Sequence, residues 1–288
     1  MTAPLLASGA AAELRQLARS GAADRYAAAL FAPAPVQGDL IALAAFEAEI
    51  NAIAERVHEP LLGELRLQWW RDEIGRIDNG EAAGHPVLEA MSGTSMRHRL
   101  PGGLLLAMID AVGQLISAEP IADDTAFRAL LAKAGASPVL LAGRCLGGSV
   151  DGSLRQALTA AGIAIGLDRL VGELPRHFAR GRIPLPRTLV AAAGVEPHDL
   201  IAGRSTAATA RLAADLESLV AAASATALDN VRSLPAAVRP AVLPLALVST
   251  YSRHRQRLGA ASLTTGVRLS PLNRLIRLAI VSRTGRFG

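Results

Sequence analysis

One cysteine, one lysine, two tyrosines and two tryptophans in 288 residues set the first limits on this chain. With Cys145 alone no intramolecular disulfide can form, and its apolar setting, PVLLAGRCLGG, marks a buried, inert thiol rather than a nucleophile. Aromatic residues make up only 3% and β-branched residues are few beside alanine and leucine, so propensity leans to helix. No segment alternates apolar and polar residues for long enough to read as a half-buried strand. The N-terminus lacks a basic stretch followed by an apolar core of signal-peptide length, and no apolar run approaches the roughly 20 residues of a membrane span. Pro240 and Pro244 interrupt the nearest candidate. The expected compartment is therefore the reducing cytoplasm. Zinc-finger spacing, aromatic-basic interleaving and nucleic-acid-reading motifs are missing, which removes nucleic acid from the expected partners. His58, His85, His98, His198 and His254 show no metal-ligand spacing and read as structural.

The most uneven absence is of acid. Residues 231–288 hold ten arginines and no Asp or Glu, so this last fifth carries +10, while the residues before it, with 20 basic and 25 acidic groups, carry −5. Such an asymmetry attracts anionic surfaces, and a membrane surface or a protein partner is expected there. Helix 271–281 is amphipathic, with Arg274 and Arg277 on one side and Leu272, Leu275, Ile276, Ala279 and Ile280 elsewhere, a pattern that suits either packing on its own domain or lying on a membrane.

What is abundant is material for a core: 51% hydrophobic against 19% charged residues. Apolar residues recur at helical spacing through most of the chain, giving an all-α reading with helices over 10–19, 24–31, 37–56, 59–79, 102–116, 123–146, 153–173, 207–228, 236–257 and 271–281. Pro33 and Pro35, the stretch Gly80 to Pro86, Pro101 with its two glycines, Gly147 to Gly152 and Pro184 to Pro197 break the pattern. No linker or internal repeat divides the chain, so residues 1–288 read as one domain with a variable segment over 1–23 and a basic amphipathic segment over 271–288.

Two helical segments carry the polar groups that matter most. In LIALAAFEAEINAIAERVHEPLLGELRLQWWRD, from Leu40 to Asp72, Glu47, Asn51 and Glu55 fall one turn apart. In AGIAIGLDRLVGELPRHFARGRIPLP, from Ala161 to Pro186, Asp168, Glu173 and His177 sit near Pro175, which removes an amide donor and should kink or end the helix. Arg176, Arg180, Arg182 and Arg187 cluster around the following loop, where guanidinium forks suit phosphate oxygens. Gly162 and Gly166 open one helix face for close packing or for a chain-like ligand. Trp69 and Trp70 read as core packing, with one ring able to line a cavity.

These segments, with Asp24, Arg25 and Tyr26, Phe46, the Trp70–Arg71 pair, His85–Pro86, LLAKAGASPVLLAGRCLGG and SLPAAVRPAVLPLALVSTY in order, make the chain similar to the squalene and phytoene synthase family over roughly residues 24–281. The resemblance implies an isoprenoid-synthase helical bundle around a central cavity. In that family, two aspartate-rich motifs hold the magnesium that neutralises a departing diphosphate. Here the first motif reads Asn51, Ala52 and Glu55 where the pattern is D-D-x-x-D, and Glu173 and His177 occupy the second. His177 presents nitrogen to a metal that prefers oxygen. The run EPLLGELRLQWW and the arrangement L-P-x-H then R-G-R-I-x-L-P look like the branch that includes a mitochondrial respiratory complex I assembly factor and its bacterial relatives. The expectation is a cofactor-free, non-catalytic member at the inner face of the cytoplasmic membrane, assisting assembly of a membrane complex or binding an isoprenoid lipid. The alternative is a head-to-head prenyltransferase using magnesium on Glu55, Asp168 and Glu173. A third reading is a protein that stores or presents a prenyl diphosphate through Arg176, Arg180 and Arg182, with Glu47 and Asp168 as further candidate ligand-binding residues.

Overall fold

In the computed structural model, which describes residues 8–57, 59–78, 81, 84–117 and 119–287, every regular element is a helix, as the apolar spacing demands. Among these residues the one extended pairing is an isolated bridge between Ile121 and Pro186. The expected helix at 59–79 ends within the described residues at Asp78, and His58 lies outside them. The first half consists of α1 (Ser8–Gly21), α2 (Ala23–Ala29), α3 (Ala34–Arg56), α4 (Pro60–Asp78), α5 (Pro86–His98) and α6 (Gly102–Ile116). Then α7 (Asp124–Leu131) runs through a π turn, Ala132–Ala136, into α8 (Ser137–Gly147). The long α9 (Gly152–Phe178) is followed by the short α10 (Arg187–Ala192) and α11 (Pro197–Ile201) and by α12 (Ala207–Val231). A 3-10 segment, Ala236–Val242, leads to α13 (Leu245–Leu258), a second 3-10 segment, Gly259–Leu263, and α14 (Pro271–Thr284).

Local chemistry accounts for several of the ends. Asp123 accepts from the Ala126 amide at the start of α7, Thr206 and Thr209 form a reciprocal cap on α12, and Ser270 caps α14 ahead of Pro271. Pro175 is carried inside α9, which stops three residues later at Phe178. The single helix expected over 236–257 is in fact split, because Pro240 and Pro244 remove amide donors and leave 3-10 geometry before α13 begins. Helix α5 falls between the expected breakers Gly80 to Pro86 and Pro101, where no element is expected from the sequence, and its Val87, Leu88 and Met91 are fully buried.

The two large core clusters meet at α6 and α8, whose Leu104, Ala142 and Leu146 pack against both. α3 runs through the middle of the first half, with twelve of its 23 residues buried. Asp39 near its start is clamped to α5: Arg97 donates to one carboxylate oxygen, and His98 Nε2 lies 2.7 Å from the other. Burial pushes the Asp39 carboxyl up, but the Arg97 and His98 bonds outweigh it and hold it below the usual range. α9 crosses the π turn with almost no separation. A methyl group on Gly162 would lie 2.4 Å from Ala136 Cα, and one on Gly135 would lie 2.3 Å from the Gly162 carbonyl oxygen. Gly162 and Gly166 thus serve close helix packing. The continuous run Asp124–Gly147 is long and apolar enough to cross a membrane by length and composition, correcting the reading that no run approaches that length. It is mostly buried, as a core helix is.

Candidate functional site

A cavity of about 570 Å³ opens between α2, α3, α9 and α13, closed on one side by residues 267–269 and the start of α14. Its size lies in the range of small-molecule sites, about 300–1,000 Å³. α3 contributes Glu47, Asn51 and Glu55 to the wall and α9 contributes Asp168, Arg169, Glu173 and Arg176, so the two polar faces read from the sequence do converge on one space.

What the sequence did not reveal is how fully those acids are already matched. At the floor, Glu47 is only 2% exposed; Arg169 of α9 donates to its Oε1, and Arg25 Nε of α2 lies 2.6 Å from its Oε2 as an ion contact without an aligned hydrogen bond. Asp168 receives Arg255 Nη2 of α13 at 2.6 Å. The same guanidinium donates through Nε to Glu217 of α12 at 2.5 Å, and Ser252 Oγ donates to Glu217 at 2.5 Å. Asp24 accepts from Arg274 of α14 and from the Tyr251 hydroxyl at 3.1 Å. Toward the mouth, Arg176 lies 2.7 Å from Glu55 and 3.4 Å from Glu173, and Arg169 reaches Glu173 at 3.8 Å. Arg169 and Arg176, two turns apart on α9, therefore stitch α9 to the acidic face of α3. Around the whole cavity seven arginines stand against six acids.

The pairs differ in worth with depth. Glu55–Arg176 is about half exposed on both sides and contributes little, on the order of 0–1 kcal/mol. The Asp168–Arg255–Glu217 group is nearly dry, and there loss of one partner strands a charge. Burial pushes the Asp168 carboxyl up to about 7 against the pull of Arg255. Burial lowers the Arg25 guanidinium below its ordinary value, with Glu47 opposing and Arg169 adding to the effect.

Several residues read as ligand groups are used by the fold instead. Arg182 is buried and donates to the carbonyls of Ala54 at 2.8 Å and Val57 at 2.7 Å, and Arg180 donates to the Glu55 carbonyl at 2.9 Å. Both satisfy the last orphan carbonyls of α3, and neither lines the cavity, which corrects their place in the proposed anion grip. His177 also lies off the cavity wall, buried, with its imidazole lowered to about 4 by burial and by Arg182, Arg176, Arg180 and Arg169. Trp70 packs edge-on against Phe46 at 5.6 Å in the core, Trp69 is surface-exposed, and neither ring reaches the cavity. His85 caps α5 through Nδ1 and packs edge-to-face against Trp70. Cys145 is buried, and burial raises its thiol to about 12.

Magnesium is the ion against which this donor set must be judged. That ion needs several free carboxylate oxygens in octahedral array. Among the described residues no three acid, histidine or cysteine groups converge on one point. Glu47, Glu55, Asp168 and Glu173 each face a guanidinium, which an incoming ion would have to displace. The arrangement does not fit a magnesium cluster.

The squalene/phytoene synthase family profile matches residues 18–273, and the chain belongs to that family. Its fold is similar to that of a squalene synthase, HpnC, from Alicyclobacillus acidocaldarius (TM-score 0.74, 20% identity, 87% of this chain and 94% of that one). A dehydrosqualene synthase crystallised with a ligand is similar over 96% of both chains, with a TM-score of 0.74 and 12% identity. Among characterised sequences, the chain is similar to NADH dehydrogenase (ubiquinone) complex I assembly factor 6 of Bos taurus, 26% identical over 200 residues, 68% of this chain. The same factor of Mus musculus is 24% identical over 247 residues, covering 84% of this chain and 72% of the relative. The chain spans 58% of the length of the cattle relative.

Proposed function

We propose that this chain is a non-catalytic, metal-independent member of the squalene/phytoene synthase family that assists assembly of a membrane respiratory complex at the inner face of the cytoplasmic membrane. One observation carries the reading: each carboxylate at the two motif positions is already neutralised by an arginine of the same chain. Diphosphate departure requires positive charge that is free to follow the leaving group, and here five of the seven cavity arginines, Arg25, Arg169, Arg176, Arg255 and Arg274, are engaged with carboxylates. The likeness to complex I assembly factor 6 supports the assembly role, and the acid-free, arginine-rich residues 231–288 support a place near anionic headgroups or membrane-complex subunits. The cavity is suited to an isoprenoid or other organic anion held by hydrogen bonds rather than by metal.

Purified protein incubated with farnesyl or geranylgeranyl diphosphate and magnesium is expected to yield no C30 or C40 product. Such a product, lost in a Glu55→Ala, Glu173→Ala variant, overturns the non-catalytic reading in favour of a head-to-head transferase. Normal complex I assembly in a deletion strain overturns the assembly role. Thermal stabilisation by farnesyl diphosphate without turnover, unchanged by a chelator, supports a metal-free ligand site.

A further inference from the structure

Helix α4 turns apolar side chains to both of its sides. Leu67, Trp70, Ile74 and Ile77 enter the core, while Leu61, Leu62, Leu65 and Trp69 point away from it and are 71%, 50%, 62% and 44% exposed. At 100° per residue the second set occupies one outward arc over more than two turns, the arc where a surface helix ordinarily carries its charges. Single exposed leucines are ordinary; four in a stripe mark an interface. The charge around the stripe narrows the choice of occupant. Residues 59–78 hold five acids against three arginines, a balance that repels an anionic bilayer and also a second copy of the same helix.

α14 has the opposite character. Leu278 and Val281 pack inward and Arg274 is tied to Asp24, while Leu272, Leu275, Ile276 and Ile280 are exposed on the outer side. Residues 271–287 carry four arginines and no acid, so α14 repels itself and attracts α4. The two stripes also match in length: Leu61 to Trp69 and Leu272 to Ile280 are each eight residues apart, about 12 Å along the helix.

We propose that α4 of one copy is the docking face for α14 of a second copy. A two-fold dimer makes this contact twice, α4 on α14 and α14 on α4, so both apolar stripes are covered and their charges complement. This inference stands on the outer surface and is independent of how the cavity is read.

Sedimentation velocity of the full chain at tens of micromolar is expected to show a dimer. Leu65→Asp and Ile276→Asp should each weaken it by at least about tenfold. Both positions are exposed, so circular dichroism should keep wild-type helicity and a cooperative melt should show that the variants are folded, with the melting temperature lower only by what the lost dimer contributed. Mixing the two variants should restore dimers in part, because one supplies an intact α14 and the other an intact α4. A monomeric wild-type chain overturns the proposal. So does loss of the dimer in only one of the two variants, which signals pairing of like helices, and so does a mixture that stays monomeric. If Ile276→Asp leaves the dimer intact and abolishes binding to phosphatidylglycerol vesicles, α14 is a lipid-facing helix and the proposal fails.

Discussion

Arg255→Met removes the cation at the centre of the driest group in the protein. The guanidinium is 2% exposed and donates to both Asp168 and Glu217, so its loss leaves two buried carboxylates facing methylenes of similar volume. Breaking a buried pair from one side costs about 3–5 kcal/mol. The expected loss at pH 8 is on the order of 4 kcal/mol, which lowers the melting temperature by about 10 °C for a chain of this size. The sign of the pH dependence follows from the same groups. Without Arg255 the buried acids prefer to be protonated, so their contribution is retained at low pH and lost as pH rises. Urea unfolding should therefore show less than about half of the deficit at pH 5. The triple variant Arg255→Met, Asp168→Asn, Glu217→Gln keeps the shape, removes the stranded charges and should return to within about 2 kcal/mol of wild type. A loss below about 1 kcal/mol at pH 8, or an equal loss at both pH values, would refute the claim that these acids depend on that guanidinium.

Asp168 and His177 oppose one another on acidification. The Asp168 carboxyl sits above its ordinary value at about 7, so its contribution grows as pH falls from 7 toward 4. The His177 imidazole sits below its ordinary value at about 4, so its contribution is full above about 6.5 and is lost over the same interval. His177→Gln should make the protein gain, and Asp168→Asn make it lose, about 2–3 kcal/mol relative to wild type between pH 7 and 4.5; parallel unfolding curves would contradict this. Arg182→Ala deprives the Ala54 and Val57 carbonyls of charged donors and should cost about 3 kcal/mol, with faster amide exchange in the last turn of α3 as the local readout. Gly162→Ala drives a methyl into the backbone of Gly135 and Ala136 and should destabilise by at least about 2 kcal/mol. Gly103→Ala, with nothing within 4 Å of the new methyl, should lie within about 1 kcal/mol of wild type, and equal melting of the two variants would count against the crossing described.

Helix class and the two acidic faces were legible because both rest on local spacing. Glu47, Asn51 and Glu55 repeat at one turn, and Asp168 with Glu173 lies on a strongly patterned α9. Helix α5 lies in a stretch to which no element is assigned from the sequence, and its mid-helix Ser92, Gly93, Thr94 and Ser95 are weak helix formers. Signals for it were present in Pro86 at the first helical position, the spacing of Val87, Leu88 and Met91, and the basic Arg97–His98 end. The partners of the acids were out of reach for a different reason. Arg25, Arg255 and Arg274 meet Glu47, Asp168 and Asp24 across separations of 22, 87 and 250 residues, and no periodicity encodes such pairings. Arg169 was the exception that spacing offered, one turn before Glu173. Arg182 shows the converse error: a loop arginine beside other arginines reads as an anion grip, whereas the unsatisfied end of α3, folded against it, claims the guanidinium first.

The guanidinium groups of Arg169 and Arg176 have a consequence for how the molecule responds to its surroundings. Where dissolved ions bridge two acidic helices, their register follows the supply of those ions, and a chelator can withdraw it. Here the bridging cations are guanidinium groups covalently part of α9. The cross-links between α3 and α9 are therefore inherited with the polypeptide itself rather than recruited from solution.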